Sequence, residues 1–64
     1  MKYFLFQIIT ENSPQKGREF LVKEKTIKQA RKTVKQLFPG EKSECLDSFP
    51  LFYVEEVTEK IDIF

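Results

Sequence analysis

Lys28 stands three or four residues before Arg31 and Lys32, and Arg31 stands four before Lys35; no Asp or Glu occurs from Thr26 to Phe38. Residues at these intervals share one face of a helix. The chemistry such a face offers is recognition of negative charge. The arrangement is unfavourable for an isolated helix. Lys28 with Lys32 and Arg31 with Lys35 are like-charge pairs, each costing about 0.2–0.5 kcal/mol. Lys28 also opposes the helix dipole in the first turn. A merely solvated face could carry Glu at little cost, so the absence of any Glu points to a negative partner. Three fit: the acidic end of the chain itself, folded back or traded between copies; an acidic surface on another protein; and nucleic acid backbone.

Catalytic chemistry is poorly supplied. The chain has no His, the commonest general base near neutral pH. Its one thiol, Cys45, lies beside Glu44 and Asp47. Neighbouring negative charge raises a thiol's pKa and quenches its reactivity. Cys45 reads as a buried or half-buried structural residue. Glu55 and Glu56 are adjacent, so in a strand they point to opposite faces and make no carboxylate pair. A hard cation held by Asp47, Glu55 and Glu59 is weaker than simple solvation of those groups, since no loop has calcium-binding spacing. Two glycines are too few for a phosphate-cradling loop. No enzyme activity, metal or cofactor is expected.

Charge is segregated along the chain. Lys16 to Lys42 holds nine Lys or Arg against three Glu, a formal +6; Ser43 to Phe64 holds six Asp or Glu against one Lys, a formal −5. The net +1 hides this dipole. A chain so divided suits binding more than catalysis. Lys16, Arg18, Lys23 and Lys25 extend the basic set only if they face one way. Strand alternation divides them between two faces, which weakens a nucleic-acid footprint. No GxxG clamp, base-stacking strand or second recognition helix is present.

These residues need a scaffold, and 64 residues allow one domain, 1–64. A chain of this size buries only about 60% of its unfolded surface, and its stability margin is thin. One cysteine forms no internal disulfide. Composition nevertheless favours folding: 41% of residues are hydrophobic, and seven Phe and two Tyr promise an aromatic core. The apolar start, MKYFLFQIITEN, is interrupted by Gln7 and lacks a small-residue cleavage site, so it reads as strand rather than leader. No run reaches the roughly 18 apolar residues that span a bilayer. A lone thiol suits a reducing cytoplasmic setting.

Residues 2–10 alternate as a strand, with Phe4, Phe6 and Ile8 on one face and Tyr3, Leu5, Gln7 and Ile9 on the other. Both faces are largely apolar, as in a central strand. ENSPQKG, 11–17, is a turn, and 18–25 is a second strand with Phe20 and Val22 opposite Leu21. Thr26 to Phe38 predicts a helix. Thr26 and Gln29 form a capping box, Ile27, Ala30, Val34, Leu37 and Phe38 form a stripe, and Pro39-Gly40 ends it. Residues 42–49 are a short strand carrying Cys45, with a bend at 48–50. Residues 51–57 read as strand, and 58–64 admit strand or helix.

The expected fold is α+β, in the order β-β-α-β(-β), with one helix on one face of a three- or four-stranded antiparallel sheet. Its other face, with Tyr3, Leu5, Ile9, Leu21 and Tyr53 as lining candidates, has no cover from the chain itself. Strands 18–25 and 51–57 are candidate edges for pairing with a neighbour. The expected role is a non-enzymatic regulatory, protein-binding or assembly module. Lys28, Arg31, Lys32 and Lys35 supply charge, and Tyr3, Leu5 and Ile9 supply apolar anchors. The partner is another protein or a second copy in a homodimer. Phosphate contact by a nucleic-acid accessory protein is the alternative, and membrane binding is not expected.

Overall fold

The computed structural model describes residues 1–51 and 61–64. Its elements are β1 (Lys2–Ile8), β2 (Glu19–Glu24), α1 (Ile27–Leu37), β3 (Ser43–Pro50) and β4 (Asp62–Ile63). The fold is α+β, with α1 packed on a four-stranded sheet of order β3-β1-β2-β4. The expected strand at 51–57, including Tyr53, falls mostly outside the described residues. Of the tail, 62–63 is strand.

The sheet is mixed, which corrects the all-antiparallel expectation. β1 is central and antiparallel to both β2 and β3, whereas β4 runs parallel to β2. Phe64 N–H donates to Leu21 O at 2.8 Å, and Lys23 N–H donates to Phe64 O at 3.0 Å. Period-2 alternation marks a residue as extended. It says nothing about strand direction, which depends on where the chain re-enters the sheet. Residues 18–25, expected as an edge, are therefore interior where β4 pairs with them.

The β1–β2 connection closes where Gly17 N–H donates to Ile8 O at 2.8 Å. Gly17 has φ +89°, a conformation that favours glycine. α1 begins at Thr26, whose backbone is extended and whose Oγ1 accepts from Gln29 N–H at 3.2 Å. The helix stops at Phe38, followed by Gly40 at φ +82°.

One core lies between helix and sheet. Phe4, Phe6 and Ile8 of β1, Phe20 and Val22 of β2, and Ala30, Val34 and Phe38 are buried there, with Ile27 and Cys45 packed against them. The inner face of β1 is the one alternation assigned. Leu37 departs from expectation, with 40% exposure. It is the last helical residue and sits at the margin of the stripe, while Phe38 beside it is buried. Phe64 joins the core edge, meeting Phe20 and Phe38 edge-on at 5.8 Å in each case.

β3 is an edge strand that resists pairing. A bulge interrupts its register opposite Leu5 and Phe6. The Asp47 carboxylate accepts from Ser48 N–H at 2.7 Å, and Pro50 has no N–H to offer. A bulge, a strand N–H already taken by a carboxylate and a proline all discourage a neighbouring strand.

Two stability predictions follow from the core and the cap. Val34→Asp places an unpaired carboxylate at a buried position. A chain of this length has roughly 3–10 kcal/mol of stability, so V34D is expected to unfold at 25 °C, read by far-UV circular dichroism. Thr26→Ala removes only the cap, at a cost of about 1 kcal/mol, and is expected to lower the melting midpoint by roughly 4–8 °C.

Candidate functional site

The stripe that buries Ala30 and Val34 turns Lys28, Arg31, Lys32 and Lys35 to solvent, and all four are exposed. They border a depression of about 490 Å³ with Ile27 as its apolar wall. A second depression of about 460 Å³ adjoins it, lined by Ile9, Arg31, Lys35, Glu41, Lys42 and Ser43. Arg31 and Lys35 border both, so the two hollows are neighbours along one groove-like surface, with these side chains between them, from the start of α1 to the start of β3.

The placement of the helix accounts for this hollow. α1 packs chiefly over β2. The helix-side face of β3 is left partly unroofed, with Ser43 and Cys45 half-buried and Ser48 exposed. The chain leaving the helix is fastened to the end of β1. Thr10 Oγ1 accepts from Lys42 N–H at 2.6 Å, and Ile9 N–H donates to Lys42 O at 2.8 Å. That clasp sets Lys42 beside Ile9 and across from Arg31 and Lys35.

None of the four helix cations has an ion pair among the described residues. The ion pairs there are Lys16–Glu11 at 2.9 Å and Arg18–Asp62 at 2.8 Å. Both are exposed, so each contributes little, about 0–1 kcal/mol. Arg18 also bonds Gln15 Oε1 at 2.8 Å and lies 5.1 Å over the Phe38 ring. Lys16 and Arg18 are thus engaged elsewhere and do not extend the helix patch. Lys23 pairs in register with Tyr3, on the outer face of the sheet.

Among the described residues, one acid borders the groove. Glu41 Oε1 accepts from Ser13 Oγ at 2.8 Å, and its Oε2 is buried without a hydrogen-bond partner. Other acids lie across the sheet. Glu19 and Glu44 pair in register with Gln7, and Asp47 with Leu5, and cross-strand partners share a face. Among the described residues, Glu19, Glu44 and Asp47 thus lie on the face opposite the helix cations, whereas Glu24 is on the helix side, its Oε2 accepting from Thr33 Oγ1 at 2.7 Å.

The expected apolar anchors are divided. Tyr3 and Leu5 are half-buried on the outer face. Leu21, expected to line that face, has 0% exposure and lies outside the core beneath the helix. Ile9, assigned by alternation to the face of Tyr3 and Leu5, instead lines the groove and is 39% exposed. β1 ends at Ile8, and the alternation ends with it. The anchors and cations thus form two surfaces, with Ile9 joined to the cations. Lys42 was not among the expected residues. It follows Phe38, where the helix stops, by four residues, and no helical spacing connects it to Lys35.

Cys45 titrates above the ordinary thiol range, chiefly through burial. Its hydrogen bond to Asp47 O and the Arg31 charge pull the other way, and the Asp47 charge adds a smaller upward push. The expected direction holds, but burial rather than neighbouring carboxylates is the main cause. No group of three or more His, Cys, Asp or Glu side chains is placed to hold a metal among the described residues. No described helix is long and apolar enough to cross a membrane. Comparison with protein-family models, curated proteins and solved structures finds no match.

The thiol offers a direct test of local packing. A raised pKa leaves less thiolate at a given pH. At pH 8, Cys45 in the folded chain is expected to react with iodoacetamide several-fold more slowly than in the urea-unfolded chain. Its contribution to stability is complete below the unfolded pKa and is lost as pH rises through the folded one. Equal alkylation rates in the two states would contradict the packing described.

Proposed function

We propose that this chain is a small non-enzymatic protein-binding or assembly module that engages a negatively charged partner through Lys28, Arg31, Lys32 and Lys35. The observation that carries the reading is the convergence of these four cations on one groove, none with an ion pair among the described residues. Their mutual repulsion is a standing cost that a negative partner relieves. In such an interface charge steers the encounter and rejects wrong partners, while buried apolar contacts supply most of the affinity. Ile9 and Ile27 are the apolar groups beside the cations. Tyr3 and Leu5 belong to a separate outer surface, and self-association through that surface is part of the same proposal.

A second reading has one observation in its favour. Glu19, Glu44 and Asp47 lie on the far side of the sheet, so they do not repel phosphate from the helix face. Contact with a nucleic acid backbone by the same four cations is the alternative.

Recovery of partners from source-cell lysate, with and without nuclease, separates the two. A protein recovered after nuclease by the wild type, and lost when Lys28, Arg31, Lys32 and Lys35 are all changed to Glu, is the expected result. Loss of every partner on nuclease treatment would favour nucleic acid. Identical protein recovery by the wild type and the quadruple variant would reduce the helix face to solvated surface. Sedimentation equilibrium at micromolar concentration tests self-association, for which a mass above 7.6 kDa is expected.

A further inference from the structure

We infer that the groove between α1 and the start of β3 takes an acidic peptide segment bearing large apolar side chains, one of which seats on Ile9 between Arg31, Lys35 and Lys42. This rests on the reading of the helix face as a protein-docking surface, and it names the chemistry of the occupant.

Each half of the groove pairs an aliphatic wall with cations. Ile27 stands with Lys28, Arg31, Lys32 and Lys35 in one half; Ile9 stands with Arg31, Lys35 and Lys42 in the other. An aliphatic group ringed by cations on long flexible stems is complementary to an apolar residue flanked by carboxylates. The apolar contact removes water, and the lysine and arginine stems extend the apolar floor while their heads reach the acids. From Lys28 to Lys35 the helix rises about 10 Å, which about three extended residues cover. A short segment therefore suffices to touch both halves.

Two features select this occupant. The blunted edge of β3, with its bulge, its Asp47-bonded Ser48 N–H and Pro50, discourages strand addition, so recognition falls to side chains in the groove. Glu41, at the β3 end, disfavours a polyanion. A phosphate backbone carries a charge at every nucleotide and cannot avoid the carboxylate. A peptide can place its apolar residue there, on Ile9, and its acids along the helix.

The test measures fluorescence anisotropy of the full chain with three labelled probes. One is a twelve-residue peptide of Glu and Asp interspersed with Leu and Phe. The second has every Leu and Phe replaced by Ser, and the third is a single-stranded oligonucleotide of equal charge. The first probe is expected to bind at least about fivefold more tightly than the second, as the burial of one or two side chains implies. Ile9→Ser is expected to remove most of that difference. Arg31→Glu combined with Lys35→Glu is expected to weaken the first probe at least about tenfold. Ile9 is substantially exposed, and a melting curve checks that I9S folds. Amide chemical shifts of the wild type provide a readout free of substitution, with Ile9 and Lys42 expected among the residues most shifted by the first probe.

Equal affinity for the two peptides, or an unchanged Ile9 and Lys42, would overturn the apolar seat while leaving the charged docking face intact. So would failure of the first peptide to bind a chain that still captures a protein through its four helix cations. Tighter binding of the oligonucleotide than of either peptide at the same salt would overturn both this inference and the protein-docking reading.

Discussion

The ring of Phe20, with 0% exposure, is where the central strand, the end of the helix and the C-terminal residues meet. Phe6 of β1 stacks against it at 6.0 Å, Phe38 from the end of α1 approaches to 4.7 Å, and Phe64 after β4 meets it edge-on at 5.8 Å. Sheet, helix end and C-terminal strand are joined through one side chain. Aromatic pairs of this kind add about 0.5–1.5 kcal/mol beyond their area burial. In a chain with one cysteine and no histidine, this cluster does the work that disulfides or metals do in other domains of this size. Arg18 closes its rim, lying over Phe38 and pairing with Asp62.

The cluster also fixes where the helix lies. Phe38 on Phe20 draws the C-terminal end of α1 over β2, and Ala30 and Val34 follow onto the same core. A single eleven-residue helix so placed cannot also roof β3. The groove bordered by Arg31 and Lys35 is therefore a consequence of core packing. The surface proposed to bind a partner and the interaction that stabilises the fold are two sides of one arrangement.

Electrostatics are organised by the same geometry. The cations of α1 tolerate one another because the helix is held by its buried stripe. Helix stability in proteins comes mainly from tertiary packing of one face, which leaves the other face free to carry an unfavourable set. The carboxylates of β2 and β3 that share the outer face lie beyond the sheet. They neither neutralise the helix cations nor compete for what those cations would bind.

What the sequence determined by itself is everything written within a few residues. The Thr26 cap, the Ala30 and Val34 stripe and the Pro39-Gly40 stop specified α1 because each acts across one turn. Alternation placed Phe4, Phe6 and Ile8 inward because successive residues in a strand must face opposite ways. The same helical spacing put Lys28, Arg31, Lys32 and Lys35 on one solvent face. Tertiary structure decided what depends on distant meetings: β4 parallel to β2, Leu21 buried on the face expected to be open, and Leu37 left exposed. It also decided the extent of the candidate site. Ile9 and Lys42 join the helix cations only through the clasp of Thr10 on Lys42, 32 residues apart in the chain. Periodicity records which residues share a face of one element. It carries no record of which element comes to lie beside it, because that is settled by how the aromatic core packs.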